Sequence, residues 1–300
     1  MSEEFTLPPR SFAGISPQAA PLDKAKVVVL PVPYDATVEY KSGAREGPQA
    51  IIDASQYLEL YDHELGLEIS EVGIHTLQEV QPLMSGPEFM AERVYRIAKD
   101  LLAKGKFVVM LGGEHSLTLG MVKALHERYS KLSVLQLDAH TDLRDEYLGT
   151  KYGTASVMRR VWEICPVVPA GIRSFSLEEH RFMQEQGIEL FYAEASSNPD
   201  FTNKVISRLS PQVYVSIDLD VFDPSIMPAV GTPEPGGLSW QQVLELLRAV
   251  SRHRRIIGFD IMELCPREGP TSCAYLAAKL AYKLIGYATF SLKSFRRRKS

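Results

Sequence analysis

The chain has few cysteines and almost no net charge, and each shortage argues against a class of protein. Its three cysteines, Cys165, Cys265 and Cys273, are odd in number and show no C-x-x-C spacing, so a reducing compartment fits best. The 33 Lys and Arg residues nearly balance 37 Asp and Glu residues, for a formal charge of −4. Such a balance does not favour a nucleic-acid or membrane surface, and small molecules are the expected partners.

Export and membrane segments are also lacking. Met1 to Glu4 show neither the basic start nor the apolar run of a signal peptide, and no stretch approaches the ~20 apolar residues of a membrane helix. We therefore expect a cytoplasmic protein. The one basic run, at residues 295–299, is expected to be a solvated, frayed C-terminus rather than a nucleic-acid site.

The chain instead contains short runs of Val, Ile and Leu that alternate with segments of helical period. This alternation predicts an α/β fold with a parallel sheet and helices on both of its faces. The predicted strands are 27–30, 107–111, 132–137, 167–172, 188–192, 213–217 and 256–261. The predicted helices are 89–102, 117–128, 177–186, 202–209, 240–251 and 272–287. Ser239 and Gln242 form a capping-box pattern at the start of the fifth helix.

No linker, composition break or internal repeat divides the chain. With 300 residues, 45% of them hydrophobic, we predict a single domain over residues 1–300, with an N-terminal extension at 1–22 and a basic tail at 294–300. In such sheets ligands bind beyond the carboxyl ends of the strands, because loops and helix N-termini converge on that rim. Polar residues at these ends are therefore the candidates for function.

Three predicted strands lead into carboxylate or imidazole side chains. These are His115 after the strand at 107–111, Asp138, His140 and Asp142 after 132–137, and Asp218 and Asp220 after 213–217. Alternate side chains of an extended chain lie on one face, so residues spaced by two can converge, although the pattern weakens if the chain turns before Asp142. The Asp-x-His-x-Asp motif at 138–142 alone could be a capping Asp with a satisfied core His, and the Asp-x-Asp motif at 218–220 alone is a weaker signal still. Their joint occurrence at two strand ends, with His115 after a third strand, favours one shared site.

Carboxylates grouped at the end of an apolar strand suffer desolvation and mutual repulsion, and cations relieve both. Four carboxylates and two imidazoles suffice for two divalent ions if two carboxylates bridge and water fills the remaining positions. Oxygen-rich coordination with some imidazole and no thiolate indicates manganese first. Iron, cobalt and nickel are alternatives, and zinc fits less well.

These motifs resemble those of the arginase and agmatinase (ureohydrolase) family, agmatinases above all, over nearly the whole chain. The resemblance rests on Gly-Gly-Glu-His-Ser at 112–116, Asp-Ala-His-Thr-Asp at 138–142, Ser-Ile-Asp-Leu-Asp at 216–220 with Asp223-Pro224, Gly-Thr-Pro-Glu-Pro-Gly-Gly at 231–237, and Gly-Phe-Asp-Ile-Met-Glu at 258–263. It implies a three-layer α/β/α fold with a mostly parallel eight-stranded sheet, and commonly a homo-trimer or a hexamer of two trimers. An eighth strand is then expected near 68–74.

The resemblance also implies a ligand set and a reaction. One ion takes His115 and Asp142, the other takes His140 and Asp220, and both are bridged by Asp138 and Asp218. Two ions that share a water molecule lower its pKa, and in this family the resulting hydroxide attacks a guanidinium carbon and releases urea and an amine.

Further residues match family positions near this site. Glu263 matches the guanidinium-binding carboxylate, a role that suits a group able to accept two parallel N–H bonds. Asp142 is expected to carry a proton toward the leaving amine as well as to bind metal. Asp260 is expected to form a structural ion pair. Bracing of loops is expected for Asp223, Arg173 and Glu234.

The substrate tail and one departure from the family pattern remain open. The segment 33–48 resembles a substrate-side loop, and residues 143–146 lack the Asn, Ser and Thr cluster that arginine's carboxylate would require. This favours a cationic amine tail, as in agmatine or aminopropylagmatine, although Arg144 leaves a carboxylate-bearing substrate open. Thr154 occupies the position where agmatinases carry a His.

Threonine cannot shuttle a proton as imidazole does, so three hypotheses follow from Thr154. The protein is a slower guanidino hydrolase, a hydrolase of another amidine such as a formimino compound, or a metal-loaded binding protein without chemistry. The complete ligand set and Glu263 favour the first hypothesis. Thr154 is therefore counted with Asp142 and Glu263 among the candidate catalytic and substrate-binding residues.

Overall fold

The computed structural model describes residues 10–290 of the chain. The strands are β1 Val27–Val32, β2 Tyr61–Asp62, β3 Leu67–Glu68, β4 Ile74–Thr76, β5 Phe107–Gly112, β6 Leu132–Leu137, β7 Val167–Ile172, β8 Phe191–Tyr192, β9 Gln212–Asp218 and β10 Arg255–Met262. The helices are α1 Gly47–Ser55, α2 Pro87–Ala103, α3 Thr118–Arg128, α4 Val157–Trp162, α5 Leu177–Gln186, α6 Phe201–Arg208, α7 Trp240–His253 and α8 Ser272–Thr289.

Eight of the strands form one sheet in the order β4-β1-β5-β10-β9-β6-β7-β8. Every neighbouring pair in it is parallel. The remaining two, β2 and β3, form a separate antiparallel hairpin. The predicted eight-stranded α/β fold is confirmed.

Hydrophobic clusters cover both faces of the sheet, because successive side chains of a strand point to opposite sides. Val27 and Val29 of β1 belong to a cluster with residues of α1, α6, α7 and α8. Val28 and Leu30 belong to the other cluster, with residues of α2, α3, α4 and α5. The three layers implied by the family resemblance are therefore present.

Two strand predictions need correction. The strand expected at 188–192 is only Phe191–Tyr192, because Gly187 closes α5 in the left-handed region (φ 66°) and the Ile188 N–H bonds back to Met183 O at 2.9 Å. The strand expected near 68–74 starts only at Ile74. Residues Ile69–Val72 form a 3-10 turn that ends at Gly73 (φ 75°), which is followed directly by the edge strand β4.

All six predicted helices are present. The short helices α1 and α4 were not predicted, because the apolar pattern did not reveal them. The capping box at α7 is confirmed: Ser239 Oγ accepts from Gln242 N at 3.3 Å, and Gln242 Oε1 accepts from Ser239 N at 2.8 Å. Within residues 10–290, no helix combines the length and apolar character that crossing a bilayer requires.

The single-domain prediction remains a prediction. Part of the expected N-terminal extension packs against the sheet, since Phe12 is buried and its N–H bonds to Thr76 Oγ1 at 2.9 Å. Residues 1–9 of that extension and the basic tail at 294–300 lie outside the described residues.

Candidate metal centre

The candidate site lies at the carboxyl ends of the four central strands, β5, β10, β9 and β6. Asp218 ends β9 and pairs in register with Met262 of β10, directly before Glu263. Leu137, the last residue of β6, pairs with Ile217 beside Asp218. Parallel register therefore brings side chains that are up to 148 residues apart to one rim of the sheet.

Two groups of side chains at this rim are each close enough to hold a cation. The ligand atoms of His115, Asp138 and Asp218 lie within 4.8 Å of one another, and so do those of Asp138, His140 and Asp220. Asp138 belongs to both groups, which is the geometry of a bridging carboxylate. Asp142 joins the first group, because its Oδ2 lies 3.1 Å from His115 Nδ1.

The environment of His115 tests whether these residues fit a metal pair. Its Nδ1 is fully buried and makes no hydrogen bond, although carboxylate oxygens of Asp138, Asp142 and Asp218 lie 3.1–3.5 Å away. Its Nε2 lies 2.8 Å from Ser216 Oγ, whose hydroxyl donates to Asp260. This arrangement assigns the ring proton to Nε2 and leaves the Nδ1 lone pair among anionic oxygens, which a cation would stabilise. The donor set fits two divalent ions.

In the absence of cations, burial and crowding shift the acidities of the cluster. Burial and the neighbouring Asp138 charge raise the pKa of Asp142 to about 7. Burial, with the charges of Asp220 and Asp138, also raises the pKa of Asp218 well above its usual value. Burial lowers the pKa of His140, but nearby carboxylates, Asp220 foremost, outweigh it and raise that pKa to about 10. Protons therefore compensate the crowded charge that metal ions would otherwise compensate.

Asp142 does not simply continue the extended chain of its motif. The backbone turns there into the left-handed region (φ 53°), a conformation that costs a non-glycine residue roughly 1–3 kcal/mol. Its carbonyl accepts hydrogen bonds from Met158 and Arg159 in the first turn of α4, at 3.0 and 3.1 Å. The turn that the sequence left open is thus present, and α4 holds it so that the carboxylate still reaches the centre.

Glu263 is held by the segment that carries His115. Its Oε1 accepts the His115 backbone N–H at 2.6 Å, and its own N–H donates to Gly113 O at 2.8 Å. Position 113 must be glycine, since a Cβ there would lie 1.9 Å from Tyr34 O. Like Asp142, Glu263 has a positive φ, 65°. Burial and the nearby Glu114 carboxylate raise the pKa of Glu263 to about 8.

The expectation of an ion pair at Asp260 was wrong. No cationic side chain in residues 10–290 lies within ion-pair distance of it; its buried carboxylate accepts hydrogen bonds from Thr118, Tyr214 and Ser216 hydroxyls at 2.7–2.8 Å. Because Ser216 also contacts His115 Nε2, Asp260 supports the imidazole orientation indirectly. Sequence reasoning missed Thr118 and Tyr214, which carry no motif signal.

The remaining candidates lie at the edge of the site. Asp223 accepts from Gly236 N at 2.9 Å and Gly237 N at 3.1 Å, and Arg173 donates to Asp220 O at 2.6 Å and Glu234 O at 2.7 Å, so both brace loops. Glu234 Oε1 approaches His140 Nε2 at 4.0 Å. The Thr154 hydroxyl is buried and has no hydrogen-bond partner among the described residues.

Several of these side chains line one cavity of about 300 Å³. His140, Asp142, Asp218 and Glu263 line it together with Thr154. Further along the wall the lining includes Arg144 and residues 38–41. A small cationic molecule could therefore meet the candidate metal ligands and Glu263 at the same time.

The fold and the site together define an α/β protein with a candidate centre for two metal ions. Residues 25–286 match the sequence profile of the Arginase family. The chain is 41% identical to the N(1)-aminopropylagmatine ureohydrolase of Synechocystis sp., over 95% of each chain. It is 42% identical to a Thermus thermophilus protein of the same name, over 89% of this chain and 92% of that one.

Solved structures agree with this assignment. The agmatine ureohydrolase of Thermoplasma volcanium superposes with a TM-score of 0.84 at 32% identity, over 95% of each chain. The formimidoylglutamase of Bacillus subtilis superposes with a TM-score of 0.82 at 21% identity, over 89% of this chain and 88% of that one, a likeness that shows the fold alone. The chain belongs to the Arginase family, and the predictions of the family and of a hydrolase are confirmed.

Proposed function

We propose that the protein hydrolyses a guanidino compound with a cationic amine tail, agmatine or aminopropylagmatine, to urea and a polyamine. The observation that carries the proposal is the shared cavity of Glu263 and the candidate metal ligands. Relatives at 41% and 42% identity over most of the chain are named N(1)-aminopropylagmatine ureohydrolases, which supports the same tail chemistry.

For the metal centre we propose two manganese ions. His115 and Asp142 would bind one, His140 and Asp220 would bind the other, and Asp138 and Asp218 would bind both. The sharing of Asp138 between the two groups and the buried lone pair of His115 Nδ1 support this ligand set. When bound, such a pair supplies the Lewis acidity that ionises a water molecule near neutral pH.

Glu263 is proposed to bind the guanidinium. One of its oxygens is held by the His115 N–H, and the other makes no hydrogen bond to the described residues. A planar cation that donates in-plane N–H bonds satisfies that oxygen and neutralises a buried carboxylate. Because His115 holds Glu263, the electrophilic carbon is fixed next to the metal ligands rather than further out in the cavity.

Asp142 is proposed to move the proton to the leaving amine, since it lines the cavity and its carboxylate lies 3.1 Å from His115 Nδ1. The unpartnered hydroxyl of Thr154 is proposed to contact substrate or a water molecule there. A hydroxyl can relay a proton but cannot take up and release one near neutral pH as imidazole does, so proton delivery is proposed to be the slow part of this chemistry.

The formimino alternative would require basic groups at the cavity for a substrate's carboxylates. Lys41 lines the cavity, but its ammonium is paired with Glu268 at 2.5 Å. Arg144 is the other Lys or Arg side chain in the lining, and its guanidinium lies 4.6 Å from the centre of the Tyr147 ring. This charge arrangement supports an amine tail better than an acidic one.

A panel assay tests the proposal. Purified protein is incubated with agmatine, aminopropylagmatine, guanidinobutyrate, arginine and formiminoglutamate, and urea and formamide are measured. Urea release from the first two supports the proposal; formamide release alone, or binding without turnover, contradicts it. A cytoplasmic homo-trimer or homo-hexamer is part of the same proposal, and its subunit number is tested by the mass of the assembly in solution.

A further inference from the structure

The loop at residues 35–45, here called the mouth loop, is closed by hydrogen bonds at its base. The buried Asp35 carboxylate accepts the Gly43 N–H at 2.8 Å and the Arg45 N–H at 3.3 Å, and also pairs with the Arg45 guanidinium. A carboxylate with this many donors fixes the two ends of the loop together. The residues between them therefore form a defined projection over the cavity.

Two further anchors hold the middle of the mouth loop. Thr37 donates its N–H and its hydroxyl to the buried Glu114 carboxylate at 2.6 and 2.7 Å, and Glu114 directly precedes His115. Lys41 pairs with Glu268 on the opposite side at 2.5 Å. Glu39 lies midway between these anchored residues, so its backbone is restrained relative to the metal centre.

The Glu39 side chain faces the cavity without a partner. It is exposed, lines the same cavity as Asp142 and Glu263, and makes no hydrogen bond or ion pair within 4.0 Å to any part of the chain that the structure describes. Charges that act on it from neighbouring elements are those of Arg144, His140 and Glu179, the last of like sign.

Two of these three groups, Glu179 and Arg144, have other partners and do not pair with Glu39. Glu179 accepts hydrogen bonds from the Thr141 hydroxyl at 2.6 Å and the Leu143 N–H at 3.0 Å, and it also forms the capping box of α5. Arg144 makes no ion pair to Glu39, and its guanidinium lies over Tyr147. Glu39 is thus the carboxylate of this cavity wall that is available to a ligand.

We propose that the Glu39 carboxylate binds the ammonium group of the substrate's tail, and that it sets the preference for dicationic guanidino compounds. The inference rests on the proposed function, because Glu263 must hold the guanidinium for the tail to point outward. The two acids then bind opposite ends of one dication, and a tail that lacks the amine loses only the outer contact. Such a contact forms in the bound substrate as well as in the transition state, so it adds specificity and its loss mainly raises KM.

The experiment compares Glu39→Gln with the wild type on agmatine and on butylguanidine, which keeps the guanidinium and the carbon chain but has no amine. We expect kcat/KM for agmatine to fall about tenfold, mostly through KM, as is typical of a partly solvated charged contact. Activity on butylguanidine and the metal content should not change. Glu59→Gln, an exposed glutamate outside the cavity lining, is the control for lost net charge.

A charge reversal sharpens the test. Glu39→Lys should raise kcat/KM for guanidinobutyrate, whose tail is anionic, while agmatine hydrolysis falls further. Equal losses on agmatine and butylguanidine, or no loss on either, would overturn the role of Glu39 while leaving the proposed hydrolysis intact. Wild-type protein that releases no urea from any of these guanidines would instead overturn the proposed function, and the inference with it.

Discussion

The backbone N–H of His115 donates a 2.6 Å hydrogen bond to the Glu263 carboxylate. The residue that presents its Nδ1 to the candidate metal centre therefore also fixes the carboxylate proposed for substrate. Since the two residues follow adjacent strands, β5 and β10, the distance between the metal ligands and the guanidinium site is set by the sheet itself. The proposed chemistry depends on this coupling.

Removal of a bridging carboxylate should cost both metal ions. Asp138→Ala and Asp218→Ala each take a ligand from both proposed ions, so the purified variants should contain close to none, as measured by elemental analysis. His140→Ala, which removes a ligand from one ion only, is the matched comparison and should keep more metal. If each Asp variant loses one ion only, the bridging assignment is wrong.

Substitution of Glu263 should separate substrate binding from metal binding. In Glu263→Gln the amide oxygen can still accept the His115 N–H, so metal content and melting temperature should stay near those of the wild type. Loss of the charge should reduce kcat/KM roughly 10- to 100-fold, since hydrogen bonds to charged groups contribute about 1.5–3 kcal/mol. Unchanged steady-state kinetics would return Glu263 to a structural role.

A histidine at position 154 should accelerate turnover. The Thr154 hydroxyl has no partner among the described residues and faces the cavity, while general acid–base assistance typically contributes about 10²–10⁴ in rate. We expect Thr154→His to raise kcat with unchanged metal content, and Thr154→Ser serves as the control. Rapid wild-type turnover that the histidine does not improve would show that Asp142, or Tyr152 through water, carries the proton.

The metal-free protein should lose stability as the pH rises. Burial and Asp138 raise the folded-state pKa of Asp142 to about 7, so this carboxyl is stabilised as the acid; that contribution is present at low pH and is lost as the pH rises toward 7. Burial lowers the pKa of His140, but nearby carboxylates outweigh it and raise this pKa to about 10. The contribution of His140 to stability is therefore also lost as the pH rises above the pKa of histidine in the unfolded chain. Denaturant titration of the metal-free protein between pH 5 and 8 measures the effect, which saturating manganese should reverse.

Much of the fold could be predicted from local sequence pattern. Strands that are buried on both faces are continuous apolar runs, and the helices between them show a helical period. The strands β6 and β7 were predicted to the residue. The six candidate ligands were predicted from their positions after three strands, and five of them lie in the two groups close enough to hold a cation. The turn at Asp142 was not predictable, since it depends on hydrogen bonds to α4. The Asp260 network and the Thr37–Glu114 anchor join residues 44 to 142 positions apart, which no local pattern encodes.

The central claim is tested most directly by urea release from agmatine and aminopropylagmatine by the manganese-loaded protein, measured beside the Glu263→Gln and Asp138→Ala variants. We expect the wild type to release urea in a one-to-one ratio with the amine product. Glu263→Gln should lose most of this activity while retaining metal, and Asp138→Ala should release no urea. Formamide in place of urea, or a wild-type protein that binds manganese and agmatine but turns over neither compound, would contradict it.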